Sequence, residues 1–248
     1  MIVVSAGMQK AGSGWHYNLI NDLLVAAGCQ DARAVRERFH LHAVLKHHNC
    51  LIGRPLWPKL ALVSIPHLMG NTFAVKTHSA PTPSLKWLMA RGAARATYIY
   101  RDPRDVVVSA FNHGKKLRAA GETHSFARLE TVEAAIQATA EWLDVWRAWA
   151  ACENALLTRY EDLLTDPLAE MHRLADFLGL SVPAAEMERI VAAYQAGSSG
   201  AEAKTPPKQG LHFNQGVAGR YAAALSDEQL ALCQRQFGGD LPRMGYAP

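Results

Sequence analysis

The sequence predicts an α/β fold, a central parallel sheet flanked by helices. Three observations carry that reading. Short apolar runs rich in β-branched residues alternate with helical stretches, glycines or cap-plus-proline pairs mark the changeovers, and the first run breaks into a glycine-rich loop that resumes as a helix. At 248 residues, 49% of them apolar and 19% charged, the chain fits one domain over residues 1–248 with a core large enough to fold by itself.

Taken in order, Ile2 to Ala6 is short, rich in valine and isoleucine and bounded by glycine, which predicts a buried strand. Trp15 to Ala27 predicts a helix that Gly28 stops. Arg33 to His67 is expected to be irregular, a long loop region. Phe73 to Lys76 and Thr97 to Tyr100 predict the next strands, and between them Thr82 and Pro83, a cap and a first-position proline, open a helix that ends at Gly92. Asp102-Pro103 opens another helix, Glu130 to Ala151 a long one, Ala155 to Thr158 a strand, and Asp166-Pro167 a helix closed at Gly179. Trp142, Trp146 and Trp149 recur at helical spacing and are expected in the core. Ala196 to Gly219, rich in glycine, serine and proline, reads as a second long loop, and the S-D-E-Q capping box at Ser226 starts the last helix. There is no internal repeat and no domain linker. Long loops in a compact domain are often functional.

The net charge of +4 is mild and the basic residues are scattered along the sequence, which indicates no nucleic-acid or membrane patch but suits a small anionic ligand. Cys29, Cys50, Cys152 and Cys233 lie far apart without a C-x-x-C pair, as expected of reduced thiols. Met1 to Ala6 is too short for a signal peptide, and no apolar stretch approaches ~20 residues. A soluble cytoplasmic protein without a membrane span is expected. The sequence carries no signal of oligomeric state.

Three constellations carry chemistry. In G-M-Q-K-A-G-S-G-W, Gly7 and Gly12 have the separation of a triphosphate-binding loop, but G-K-[ST] is missing and Lys10 lies inside the loop. A loop between a first strand and its helix sits at the carboxyl edge of the sheet, where backbone N–H groups and the helix N-terminus attract anions. In F-A-V-K-T-H, the alternation of a strand puts Lys76 and His78 on one side with Thr77 opposite, again at the ligand edge. A neutral imidazole there, with an ordinary pKa of ~6.5, accepts a proton from a hydroxyl near neutral pH. In Y-R-D-P-R-D-V-V-V-S, Arg101 ends a strand, where a guanidinium grips a phosphate by two bonds or else pairs with Asp102 or Asp105, and Ser109 follows Asp105 by one helical turn.

In this order, K-A-G-S-G-W, K-T-H, Y-R-D-P-R-D-V-V-V-S and R-Y-E-D-L resemble the motifs of the cytosolic-type sulfotransferases, which use 3′-phosphoadenosine 5′-phosphosulfate (PAPS). The resemblance runs from Gly7 to about Tyr221 and implies a P-loop-like three-layer fold. It implies that Lys10, Ala11, Gly12, Ser13, Gly14 and Trp15 hold the 5′-phosphosulfate, with Trp15 near the adenine, and that Arg101 and Ser109 bind the 3′-phosphate. His78 is implied as general base, Lys10 and Lys76 as the cations on the sulfuryl group and leaving phosphate, and Tyr160 as a residue beside the adenine. No metal is required, since fixed cations and loop N–H groups stabilise the charge of an in-line transfer. The expected product is the desulfated nucleotide, PAP, and the expected acceptor a hydroxyl on a small molecule, a carbohydrate or a lipid.

Two departures stand out. The family's arginine-lysine-glycine near the C-terminus is replaced here by Asn214, Gln215 and Gly216, so that Gln215, Gly216 and Arg220 complete the cofactor-binding candidates, with Lys204 or Lys208 as further sources of compensating charge. The segment from about 196 to 219 is expected to act as a lid over the nucleotide, and the region of about 33–67 to shape the acceptor pocket. Within that region His40, His42, His47, His48 and Cys50 match no standard zinc spacing. A nucleotide-dependent small-molecule kinase and a non-catalytic nucleotide-binding module are the alternative readings, because fold alone does not fix chemistry.

Overall fold

The structure, a computed structural model, describes residues 1–196 and 217–247. Four strands, β1 (Ile2–Gly7), β2 (Phe73–Thr77), β3 (Ala94–Tyr100) and β4 (Ala155–Arg159), form one parallel sheet in the order β2-β1-β3-β4. The register pairs Ala6 with Thr77, Gly7 with Ile99 and Tyr100 with Arg159, so the carboxyl ends of all four strands lie along one edge. Every residue of β1 and β2 is buried: β1 is an inner strand rich in valine and isoleucine, and the edge strand β2 is flanked by Leu51, which bridges to Lys76. The chain leaves β1 toward β2 on one side and later returns to β3 on the other. That reversal opens the crevice in which α/β sheets bind ligands.

Helices cover both faces. In chain order they are α1 (Ser13–Ala26), α2 (Ala32–Arg38), α3 (Trp57–Leu68), α4 (Pro83–Ala90), α5 (Pro103–Ala119), α6 (Val132–Ala150), α7 (Tyr160–Thr165), α8 (Pro167–Leu178), α9 (Ala184–Ala196), α10 (Tyr221–Ala224), α11 (Asp227–Phe237) and α12 (Leu241–Met244). One layer holds α1, α8 and α9; the other is built on α6, α4 and α3, with α5 and α11 packed against α6. Trp146 and Trp149 of α6 are fully buried, and Trp149 stacks on Tyr98 of β3 at 5.8 Å between centroids. The cap signals act as read: Asp102, Thr82 and Asp166 each accept from a backbone N–H of the helix they open, and Ser226 with Gln229 forms a complete capping box.

The expectation of an irregular stretch from Arg33 to His67 is corrected by two helices within it. Asp31 caps α2, accepting from Arg33 and Ala34, and α3 starts with Pro58 in its first turn. Pro66 lies in the last turn of α3, where a missing N–H costs a single bond, so the helix tolerates a residue that reads as a breaker. The proposed lid lies almost wholly outside the described residues. So do Lys204, Lys208, Asn214, Gln215 and Gly216. Among the described residues no helix is long and apolar enough to cross a membrane, and the four cysteines are free thiols.

Candidate active site

The loop between β1 and α1 is shaped by close contacts that only glycine permits. A Cβ on Gly12 would stand 2.7 Å from the Tyr160 ring, and one on Gly7 would stand 2.7 Å from Ile99 and 2.9 Å from Ser13. Gly12 and Lys10 both have positive φ, 78° and 63°, which curls the backbone back on itself. Whereas Asp31, Thr82, Asp102, Thr131, Asp166 and Ser226 cap their helices with side chains, Gly12 opens α1 without one. The first turn of α1, from Ser13 to Trp15, holds no acidic residue, so its N–H groups and dipole face the loop with no intrachain anion from that turn.

Lys76 and His78 end β2 beside this loop. The Nδ1 of His78 lies 2.7 Å from the carbonyl oxygen of Gly7. A carbonyl only accepts, so Nδ1 carries the proton and Nε2 keeps its lone pair. Burial, reinforced by the charge of Lys76, pushes the imidazole pKa down to about 4, which keeps the ring neutral at physiological pH. The loop behind His78 is held firmly: Thr77 Oγ1 donates to Gly53 O at 2.6 Å, and Trp149 Nε1 donates to Ser79 O at 3.0 Å. Lys76 is buried, and desolvation lowers its pKa to about 8. Lys10 is lowered to about 8 by burial and by the charges of Lys116 and Arg101, and its ammonium lies 5.4 Å from the centroid of the Phe126 ring. Burial thus holds both lysines near the point of losing their protons, and at Lys10 neighbouring cations add to it.

The ends of β3 and β4 close the crevice. Arg101 follows the pairing alternative, bonding Asp105 at 2.8 Å, while its guanidinium also donates to Val217 O at 2.7 Å and lies 4.5 Å over the Tyr160 ring. Its Nε is buried without a partner among the described residues. Asp105 also accepts from the backbone N–H groups of Gly219 and Tyr221, which draws Arg220 to the same corner. Asp102 is taken instead by Arg104, through both carboxylate oxygens. Ser109 is buried one turn beyond Asp105, and Trp15 meets Tyr160 edge to face at 6.2 Å. The structure thus brings Lys10 to Trp15, Lys76, His78, Arg101, Ser109, Tyr160 and Arg220 to one sheet edge; Gln215 and Gly216 lie outside the described residues.

Sequence reasoning missed Lys116, whose charge acts on Lys10, and Phe126 beneath it. The signal for Lys116 is its spacing, two helical turns beyond Ser109 on α5. Around His40 to Cys50 the residues do not converge: Cys50 is buried and its thiol is pushed up by burial, while His42 and His48 are exposed. Among the described residues no group of three or more His, Cys, Asp or Glu is arranged to hold a metal ion.

The family model described as Sulfotransferase domain matches residues 2–243. The luciferin sulfotransferase of Photinus pyralis is 23% identical over 252 residues, 91% of this chain and 68% of that protein. Sulfotransferase 2B1 of Homo sapiens is 28% identical over 171 residues, which is 62% of this chain and less than half, 46%, of that protein. Among solved structures, mouse sulfotransferase SULT7A1 complexed with PAP aligns over 99% of this chain and 89% of its own at a TM-score of 0.63 and 18% identity. Retinol dehydratase in complex with androsterone and inactive cofactor PAP aligns over 97% of this chain and 80% of its own at 0.58 and 18%. At that identity the likeness establishes the fold, which is the P-loop-like three-layer arrangement the sequence suggested.

Proposed function

The chain belongs to the sulfotransferase domain family, and on that premise we propose that it is a PAPS-dependent enzyme that transfers a sulfuryl group in line to a hydroxyl acceptor, with His78 as general base. The observation that carries this reading is the bond from His78 Nδ1 to Gly7 O, which presents Nε2 as an acceptor with the charge of Lys76 close by.

The residues present fit the nucleotide. An uncapped helix N-terminus and two lysines with lowered pKa values lack anionic partners among the described residues, and Arg101, though paired with Asp105, keeps a buried Nε without a partner there. Lys10 to Trp15 would hold its 5′ side, Arg101 and Ser109 its 3′-phosphate, and Trp15 and Tyr160 the adenine. When bound, PAPS supplies an activated sulfuryl group. His78 Nε2 takes the proton of the acceptor hydroxyl as its oxygen bonds sulfur and the sulfur–oxygen bond to the 5′-phosphate breaks. Lys10 and Lys76 stabilise the charge that builds on the sulfuryl and leaving oxygens, in a site already free of bulk water around Lys76. The acceptor is read as a small molecule bearing a hydroxyl.

The test is His78→Ala. Turnover is expected to fall by ~10²-fold or more with PAP binding intact, since general-base catalysis contributes about that much. Unchanged turnover would remove His78 from the reaction. Activity that needed ATP and magnesium and ignored PAPS would favour a kinase instead.

A further inference from the structure

The apolar residues that the fold leaves outside are concentrated on one surface. Of the nine large hydrophobic side chains exposed among the described residues, seven belong to α3, its two flanks and α4: Leu56, Trp57, Leu62, Ile65, Leu68, Met69 and Trp87. Pro58, Ala61, Leu62, Ile65 and Leu68 recur at the spacing of one helix face, and all are exposed, while Leu60, Val63 and Pro66 face the core. Leu68 is 81% and Met69 63% exposed, at the far end of the stripe. At its near end Trp57 meets Trp87 of α4 edge to face at 5.0 Å, which joins the two helices into a continuous surface. Single exposed leucines are ordinary, but a stripe of this kind marks an interaction surface.

The charge around the stripe selects the partner. Between Glu37 and Asp102 the chain has 64 residues with nine Lys or Arg and no Asp or Glu, so the net +4 divides into +9 here and −5 over the rest. The cations looked scattered along the sequence, yet folding sets Arg54, Lys86 and Arg91 on the exposed surface of the loop and helices that carry the stripe. Arg91 lies 3.6 Å over the Trp87 ring, and none of the three is in an ion pair among the described residues. A second copy seated face to face would oppose these cations with their own counterparts. A flat apolar helix face rimmed by tryptophan and unpaired cations matches the interface of an anionic bilayer, where apolar side chains enter the acyl boundary and cations meet phosphate headgroups.

We propose that the α3–α4 face docks peripherally on anionic lipid membranes. Its position gives the docking a use. The carbonyls of Gly53 and Pro55, in the loop that leads into α3, accept bonds from Thr77, Thr82 and Ser84, which flank His78, so the stripe begins beside the base. On the sulfotransfer reading, a hydroxyl acceptor with an apolar body reaches the site from the lipid phase; the docking itself does not depend on that reading.

The experiment is co-sedimentation of the full chain with vesicles of phosphatidylcholine alone or with roughly 30% phosphatidylserine, at low and high salt. Binding is expected to the anionic vesicles, weakened by salt, and reduced at least tenfold by Ile65→Glu/Leu68→Glu and by Lys86→Glu/Arg54→Glu. These positions are exposed, and unchanged melting temperatures verify that the variants fold. A chain that stays in the supernatant with both vesicle types, or variants that bind like the parent, overturns the proposal. So does a dimer that Ile65→Glu/Leu68→Glu splits without any vesicle binding, which would assign the face to a second copy. Because the readout is mass on vesicles, a loss of sulfotransfer does not register in it.

Discussion

At the scale of single residues, the site is built from groups held in states they would not adopt in water. Burial of Lys76 lowers its pKa from 10.5 to about 8, a penalty on its charged form on the order of 3 kcal/mol. The sign follows from the proton count: between pH 8 and 10.5 the unfolded chain binds more protons at this lysine than the fold does, so stability rises with pH across that window, and at neutral pH the fold carries the full cost. Replacing the ammonium by an apolar group of similar length removes the cost. Lys76→Met is therefore expected to raise Tm in a thermal melt of the free protein at pH 7 while cutting kcat/KM by ~10²-fold or more, because the charge is needed only once an anion is present. A lower Tm would mean that an unseen partner already satisfies Lys76, and unchanged kcat/KM would take it out of the reaction. His78 shows the same trade in the opposite sense: its lone pair is available because Gly7 O fixes the tautomer, a contact between residues 71 positions apart. The K-T-H string announced the histidine, but no local pattern could announce that carbonyl.

At the scale of elements, what was legible is what local chemistry decides. Cap-and-proline pairs at Thr82, Asp102 and Asp166 marked three helix starts because the capping bond is made within three residues of the cap. Strand register, by contrast, depends on partners from 59 to 92 residues away, and α2 and α3 were missed because one is seven residues long and the other contains Pro66. Helix α9 also went unread, although Met187, Ile190, Val191 and Tyr194 recur at helical spacing and are all buried. Asp105 lies in the first turn of α5 and binds Arg101, Gly219 N and Tyr221 N together, so one carboxylate fastens the chain beyond residue 216 to the carboxyl edge of the sheet. The pair is almost fully buried, and removing one partner from such a pair typically costs ~3–5 kcal/mol. Asp105→Ala is expected to lower Tm by several degrees and to weaken PAP binding at least tenfold in calorimetry. A variant that melts lower yet binds PAP as tightly as the parent would show that this docking serves stability alone.

At the scale of the whole molecule, the topology takes Lys10 after β1, Lys76 and His78 at the end of β2 and Arg101 after β3, and gathers them because parallel strands end at a common edge. The resulting charge is shared, as the pKa of Lys10 records through its response to Lys116 and Arg101. In the free protein Lys10 and Lys76 both titrate at about 8, so at pH 8 each is about half protonated. A phosphate anion beside them favours the charged form and raises both pKa values, so the complex holds more protons than its components. Binding of PAP at pH 8, where its phosphates are already dianions, is thus expected to take up about one proton; at pH 6 the lysines take up close to none and the phosphates, with a second pKa of ~6, release protons instead, and affinity is expected to fall as pH rises through 8 and beyond. Titration calorimetry at pH 6 and pH 8, each in two buffers of different ionisation enthalpy, measures the uptake directly. His78 stays out of this balance, because its pKa of about 4 leaves it neutral at both pH values. With Lys76→Met the uptake at pH 8 should drop to about half, since only Lys10 then titrates in that range. Equal enthalpies in both buffers at pH 8 would mean that the lysines do not meet the nucleotide, whatever its affinity.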